Sequence, residues 1–127
     1  MDAQLEQALA RGDVETVRRR LAAGADVDAR DRRGQTALMR AAHEGDAAMV
    51  AALLEHGADP NASAKHHLNA LMLAVVAGHA EIALMLARAG ADLHARATGP
   101  PGFAGKTAAE LARERGMAEL GEMLERG

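Results

Sequence analysis

The 127-residue chain has no cysteine, tryptophan or tyrosine, and Phe103 is its one aromatic side chain. Without cysteine there are no disulfides, thiol nucleophiles or thiolate metal sites. Without aromatics a core assembled around large rings is excluded, as is a stacking platform for nucleic-acid bases. The sequence also lacks a strong charge of either sign: 15 basic against 18 acidic residues leave a formal net charge of −3. That balance provides no global attraction to nucleic acid or to an anionic membrane. No apolar run approaches the length of a membrane span. The start, Met1-Asp2-Ala3-Gln4-Leu5-Glu6, has neither the basic region nor the apolar stretch of a secretory leader. The expected location is cytoplasmic.

The apolar residues, 49% of the chain, are chiefly Ala, Leu, Met and Val. Such a length supports one domain with a real core. The small side chains and the helix-favouring Ala, Leu, Glu and Arg content suit helices stacked closely on helices. The Ala- and Arg-rich composition fits a GC-rich, bacterial source.

Self-similarity is the dominant pattern. Gly12, Gly45 and Gly78 lie 33 residues apart, as do Gly24, Gly57 and Gly90. The text between them recurs as GDVETVRRRLAAGADVDA (12–29), GDAAMVAALLEHGADPNA (45–62) and GHAEIALMLARAGADLHA (78–95). A looser fourth copy begins at Gly105, after five extra residues, and the pairing of Met123-Leu124 with Leu53-Leu54 makes its second half one residue short. Thr36, Asn69 and Thr107 each precede a short apolar run and can accept from the free N–H groups that open a helix. ALMRAAHE (37–44) and ALMLAVVA (70–77) are two-turn helices that stop at Gly45 and Gly78. Second helices run through Met49, Val50, Leu53 and Leu54, and through Ile82, Leu84, Met85 and Leu86, with an apolar face at helical spacing. Gly57 and Gly90 end them, and turn-forming residues follow.

This 33-residue unit, with Thr36-Ala37-Leu38-Met39-Arg40-Ala41 and Asn69-Ala70-Leu71-Met72-Leu73-Ala74 at the position of a T-P-L-H-x-A signature, resembles the ankyrin repeat. Ala replaces the usual Pro and Met the usual His in both copies. The resemblance covers nearly the whole chain. It implies a mainly α fold: an ankyrin-repeat α-solenoid of four stacked helix-turn-helix repeats joined by β-hairpin-like loops. The expected repeats are 1–29 as N-terminal cap, 30–62, 63–95, and 96–127 as C-terminal cap with an insertion at 97–104. Arg20 and Arg113 stand where internal copies have Leu53 and Leu86, and Ala42 and Val75, which suits polar caps on a complete four-repeat unit. Loss of either Leu54 or Leu86 is expected to be severe.

The resemblance also implies function: protein–protein recognition through a concave face of hairpin tips and first helices. The chain would act as an inhibitor, immunity protein or adaptor, the alternative being a structural subunit that stabilises a larger assembly. By position, the partner-binding candidates are Arg32, Arg33, Arg40, His43, Lys65, His66, Leu68, Leu73, Val76, Phe103 and Lys106, with Gln35, Glu44, Ala77, Glu114 and Arg115 beside them. Leu68, Leu73 and Val76 form an apolar cluster where such repeats are usually polar. The insertion Ala97-Thr98-Gly99-Pro100-Pro101-Gly102-Phe103-Ala104 projects from the same side. Either Phe103 is an exposed anchor for the partner, or it folds back over Leu68 and Leu73 as a satellite core. Arg30, Arg32, Arg33 and Arg40 could line a positive strip, which Asp31 and Glu44 would largely neutralise.

Catalytic and metal chemistry find no foothold. His66 and His67 are neighbours on a hairpin, where side chains diverge, and no third ligand stands at zinc spacing. His79, after Gly78, reads as structural. Gly105-Lys106-Thr107 ends like a phosphate loop, but Pro100 stands five places before Gly105 where that motif needs Gly, and no strand precedes it. No convergent nucleophile, base and oxyanion donor can be named. The expectation is a non-enzyme with no cofactor and no metal, binding no nucleic acid and no membrane, and monomeric when free.

Overall fold

The computed structural model describes residues 1–99 and 101–126. Pro100, within the insertion, and the terminal Gly127 lie outside the described residues. Among the described residues, eight α-helices follow one another: α1 (Ala3–Arg11), α2 (Val14–Ala22), α3 (Ala37–Glu44), α4 (Ala47–Glu55), α5 (Ala70–Val76), α6 (Ala80–Arg88), α7 (Ala108–Glu114) and α8 (Ala118–Arg126). They pack as four antiparallel pairs. The odd-numbered helices stack into an inner layer and the even-numbered ones into an outer layer. Among the described residues there is no strand; the connections carry isolated bridges, Arg30 to Thr36 and Ser63 to Asn69.

Local chemistry explains the helix ends. Thr36 accepts from the N–H of Met39, Asn69 from Met72 and Thr107 from Glu110, the last as a reciprocal capping box. Asp13 and Asp46 cap α2 and α4 in the same way, but His79 at the start of α6 makes no side-chain capping bond. Its ring lies instead across the preceding repeat, 3.2 Å from the carbonyl of His43 and hard against Gly45. Gly45 ends α3 at φ +82°, and a Cβ there would meet the imidazole at 2.6 Å, so only glycine fits.

The core is a continuous sheet of side chains between the layers. Leu5, Leu38, Met39, Met49, Val50, Leu53, Leu71, Met72, Leu86, Leu111 and Leu124 are all essentially solvent-free. Met39 and Met72 therefore fill core space at the position where the signature has His. Between repeats, the turns after the outer helices are laddered: Asp28 accepts from the N–H of Asp59 at 2.8 Å, and one repeat later Asn61 accepts from Asp92 at 2.6 Å. Arg30 donates to the carbonyls of Gly34 and Ser63, tying two hairpins together. It is spent on structure rather than on the positive strip considered above.

Two expectations about register are corrected. Leu53 and Leu86 are the repeat-equivalent buried pair, at 0% exposure, while Leu54 is only half-buried on the outer layer. In α8, Leu124 is buried and Met123 is 40% exposed, so Leu124 takes the place of Leu53 and the fourth copy has no deletion. Both misreadings have one cause. Two adjacent leucines satisfy a helical pattern in either frame, and only packing across the pair selects one.

The ends of the stack are closed by ion pairs. Arg20 bonds Asp2, with its Nε buried and unpartnered, and Arg113 holds Glu125 with both guanidinium nitrogens, one at 2.7 Å. Hydrogen bonds from these arginines hold the carboxyls of Asp2 and Glu125 below the ordinary range.

Candidate protein-binding surface

The inner helices and hairpin tips of the first three pairs enclose an open groove of about 470 Å³. It is lined by Glu6, Asp31, Arg32, Arg33, Gln35, Arg40, His43, Glu44 and Leu73. Five of the eleven candidate residues, Arg32, Arg33, Arg40, His43 and Leu73, are thus brought to one place. The hairpin is set by Asp31, whose Oδ1 accepts from the N–H groups of Arg33 and Gln35 while Gly34 closes the turn. Arg32 and Arg33 stand exposed at its tip, and His43 and Glu44 are exposed on α3.

Arg40 lies deeper, with 18% of its side chain exposed, 3.6 Å from Glu6 and 3.8 Å from Asp31. Glu6, delivered from α1, was missed by sequence reasoning. It occupies the repeat position of Met39 and Met72, so its departure from the apolar pattern was the available signal. Leu73 follows α3 by one repeat in the Arg40 position but is 92% buried (8% exposed). The apolar cluster anticipated around it is therefore not an exposed patch. Leu73 shows only an edge to the groove, and Leu68 and Val76 are half-buried against the core.

The remaining candidates lie farther along the stack. Lys65, His66 and His67 form a tight turn in place of a simple hairpin tip, with His66 and His67 in the left-handed region at φ +64° and +57°. His67 occupies the repeat position of Gly34, which explains why a left-handed residue is needed there. The insertion docks on this turn. Thr98 donates its N–H to the carbonyl of His66 at 2.8 Å, its hydroxyl lies 3.2 Å from Nδ1 of His67, and Gly99 is packed against the His66 ring. His66 is consequently half-covered, whereas Lys65 is exposed. Phe103 is neither bare nor fully buried: it packs at the core's edge with the Arg115 guanidinium 5.5 Å above its ring. Lys106 is paired with Glu114 at 2.5 Å.

No group of three or more His, Asp or Glu side chains among the described residues is arranged to hold a metal ion. No described helix is long and apolar enough to cross a membrane.

Paired helices stacked in two layers, with laddered turns and a groove along the inner layer, define a tandem helical-repeat protein. Residues 5–97 match the family model for ankyrin repeats, in three copies. The chain belongs to the ankyrin repeat family. The match ends before α7 and α8, so the fourth pair and all of the insertion after Ala97 lie outside the matched segment. A comparison with curated proteins finds no match. Ankyrin repeats are generally protein–protein interaction modules, and the family is generally non-enzymatic.

Proposed function

We propose that this chain is a single ankyrin domain that binds a partner protein through the groove and the adjoining hairpin tips, acting in the cytoplasm as an inhibitor, immunity protein or adaptor. The observation that carries this reading is the groove itself. Apart from Asp31, which sets the hairpin, and Leu73, which packs into the core, its wall is built from side chains the fold does not need, while the core positions are filled by Ala, Leu, Met and Val. Arg32, Arg33, Arg40 and His43 form the main contact surface. Lys65, His66, Leu68, Val76, Phe103 and Lys106 extend it toward the docked insertion. A groove open along its length takes a protein segment more readily than an enclosed small molecule.

Affinity capture from native lysate tests the proposal. The wild-type chain should retain a stoichiometric protein, and a double substitution at the exposed tip, Arg32→Glu with Arg33→Glu, should lose it without changing the melting temperature. Phe103→Ala reports separately on the extension. Retention undiminished by all three changes would mean that the surface is misplaced.

A further inference from the structure

Arg40 is the least explained polar group in the groove. Its side chain is four-fifths buried, yet among the described residues its guanidinium donates no hydrogen bond within the protein. The two carboxylates beside it, Glu6 at 3.6 Å and Asp31 at 3.8 Å, stand beyond hydrogen-bonding distance. Asp31 is already engaged elsewhere, because one of its oxygens accepts from two backbone N–H groups. The Arg40 nitrogens stay open to the groove, so the five donors of the guanidinium are available to an incoming acceptor. Directly above, Arg32 and Arg33 are exposed and make no ion pair with any described residue. Elsewhere among the described residues, Lys106 has a close acceptor in Glu114, and Arg20 has one in Asp2 although its Nε is left without a partner.

We infer, building on the proposed function, that the groove recognises an aspartate or glutamate side chain on an extended segment of the partner, seated on Arg40 beneath Arg32 and Arg33. A carboxylate is planar and matches the guanidinium fork with two parallel hydrogen bonds. A single negative charge suits the site better than a phosphate dianion, since Glu6, Asp31 and Glu44 surround it. The exposed edge of Leu73 forms an apolar floor beside Arg40, so the acidic residue should be followed or preceded by an aliphatic one.

Selection from a random twelve-residue peptide library displayed on phage, with the full chain immobilised, tests this directly. Peptides enriched on the wild-type chain should carry Asp or Glu next to Leu, Ile, Val or Met several times more often than the input library. In the best peptide, changing the acid to its amide should weaken binding about tenfold or more, the scale of a close charge pair across an interface. On Arg40→Gln the acid and the amide should bind within about twofold of each other, and on the exposed double variant Arg32→Gln with Arg33→Gln the preference should shrink severalfold. The double variant decides the matter if Arg40→Gln fails to melt like the parent. Enriched peptides that respond to the groove substitutions but show no acidic excess overturn this inference and leave the proposed function standing. An acidic preference that survives the substitutions overturns it as well. No enrichment at all, or peptides indifferent to every groove change, counts against both.

Discussion

At the scale of single residues, the most informative contrasts are between neighbours. Leu86, fully buried between layers, should cost roughly 2–5 kcal/mol when cut to Ala. Leu54 is half-buried on the outer layer and should cost roughly 1 kcal/mol. Urea unfolding of the two variants checks the ranking, and equal losses would contradict the packing register described here. His67 offers the opposite case. It holds φ +57° where its repeat-equivalent, Gly34, holds +79°, and a non-glycine residue in that region costs on the order of 1 kcal/mol. His67→Gly should therefore raise the melting temperature by a few degrees, offset in part by loss of its contact to Thr98. A lower melting temperature would show that the contact outweighs the backbone cost.

At the scale of elements, each helix start is a local event, and that is why most of the fold was legible beforehand. Thr36, Asn69 and Thr107 cap their helices using side chains and N–H groups within three residues. Thr107→Ala removes the whole capping box and should cost roughly 1 kcal/mol, seen as earlier fraying of α7 by hydrogen exchange. Unchanged exchange at Ala108–Glu114 would count against a stabilising box. What the sequence could not show depended on elements remote in the chain. Glu6 reaches Arg40 only because α1 stacks beside α3, and the insertion docks through carbonyl and hydroxyl groups of His66 and Thr98 that carry no pattern. The same limit explains Leu73. Its place in the groove followed from the repeat, but its burial followed from the neighbouring helices.

At the scale of the whole molecule, surface carboxylates tie helices and helix ends within the pairs, and Glu55 with Arg18 links α4 to α2. Hydrogen bonds from Arg20, Arg18, Thr107 and Arg113 are the leading causes that hold Asp2, Glu55, Glu110 and Glu125 below the ordinary carboxylate range. Depressed native pKa values mean that the unfolded chain takes up protons first as pH falls. Their stabilisation is therefore present above the unfolded values and lost as pH drops through the native ones, in a window below about pH 4. These groups are exposed and screened, so the loss should be modest and smaller in high salt. The Asp2–Arg20 and Arg113–Glu125 pairs sit at opposite ends, so acid should open the first and last helix pairs before α3–α6. Hydrogen exchange near pH 3.5 that loosens all four pairs alike would contradict this.

The account as a whole stands on the inner groove being the surface a partner occupies. Photocrosslinking measures that most directly, with a benzoylphenylalanine placed at Arg33 on the hairpin tip in one chain and at Arg88 on the outer layer in another. Irradiation in native lysate should join a single protein to the first chain and none to the second. A crosslink formed from position 88 and absent from position 33 would contradict the assignment.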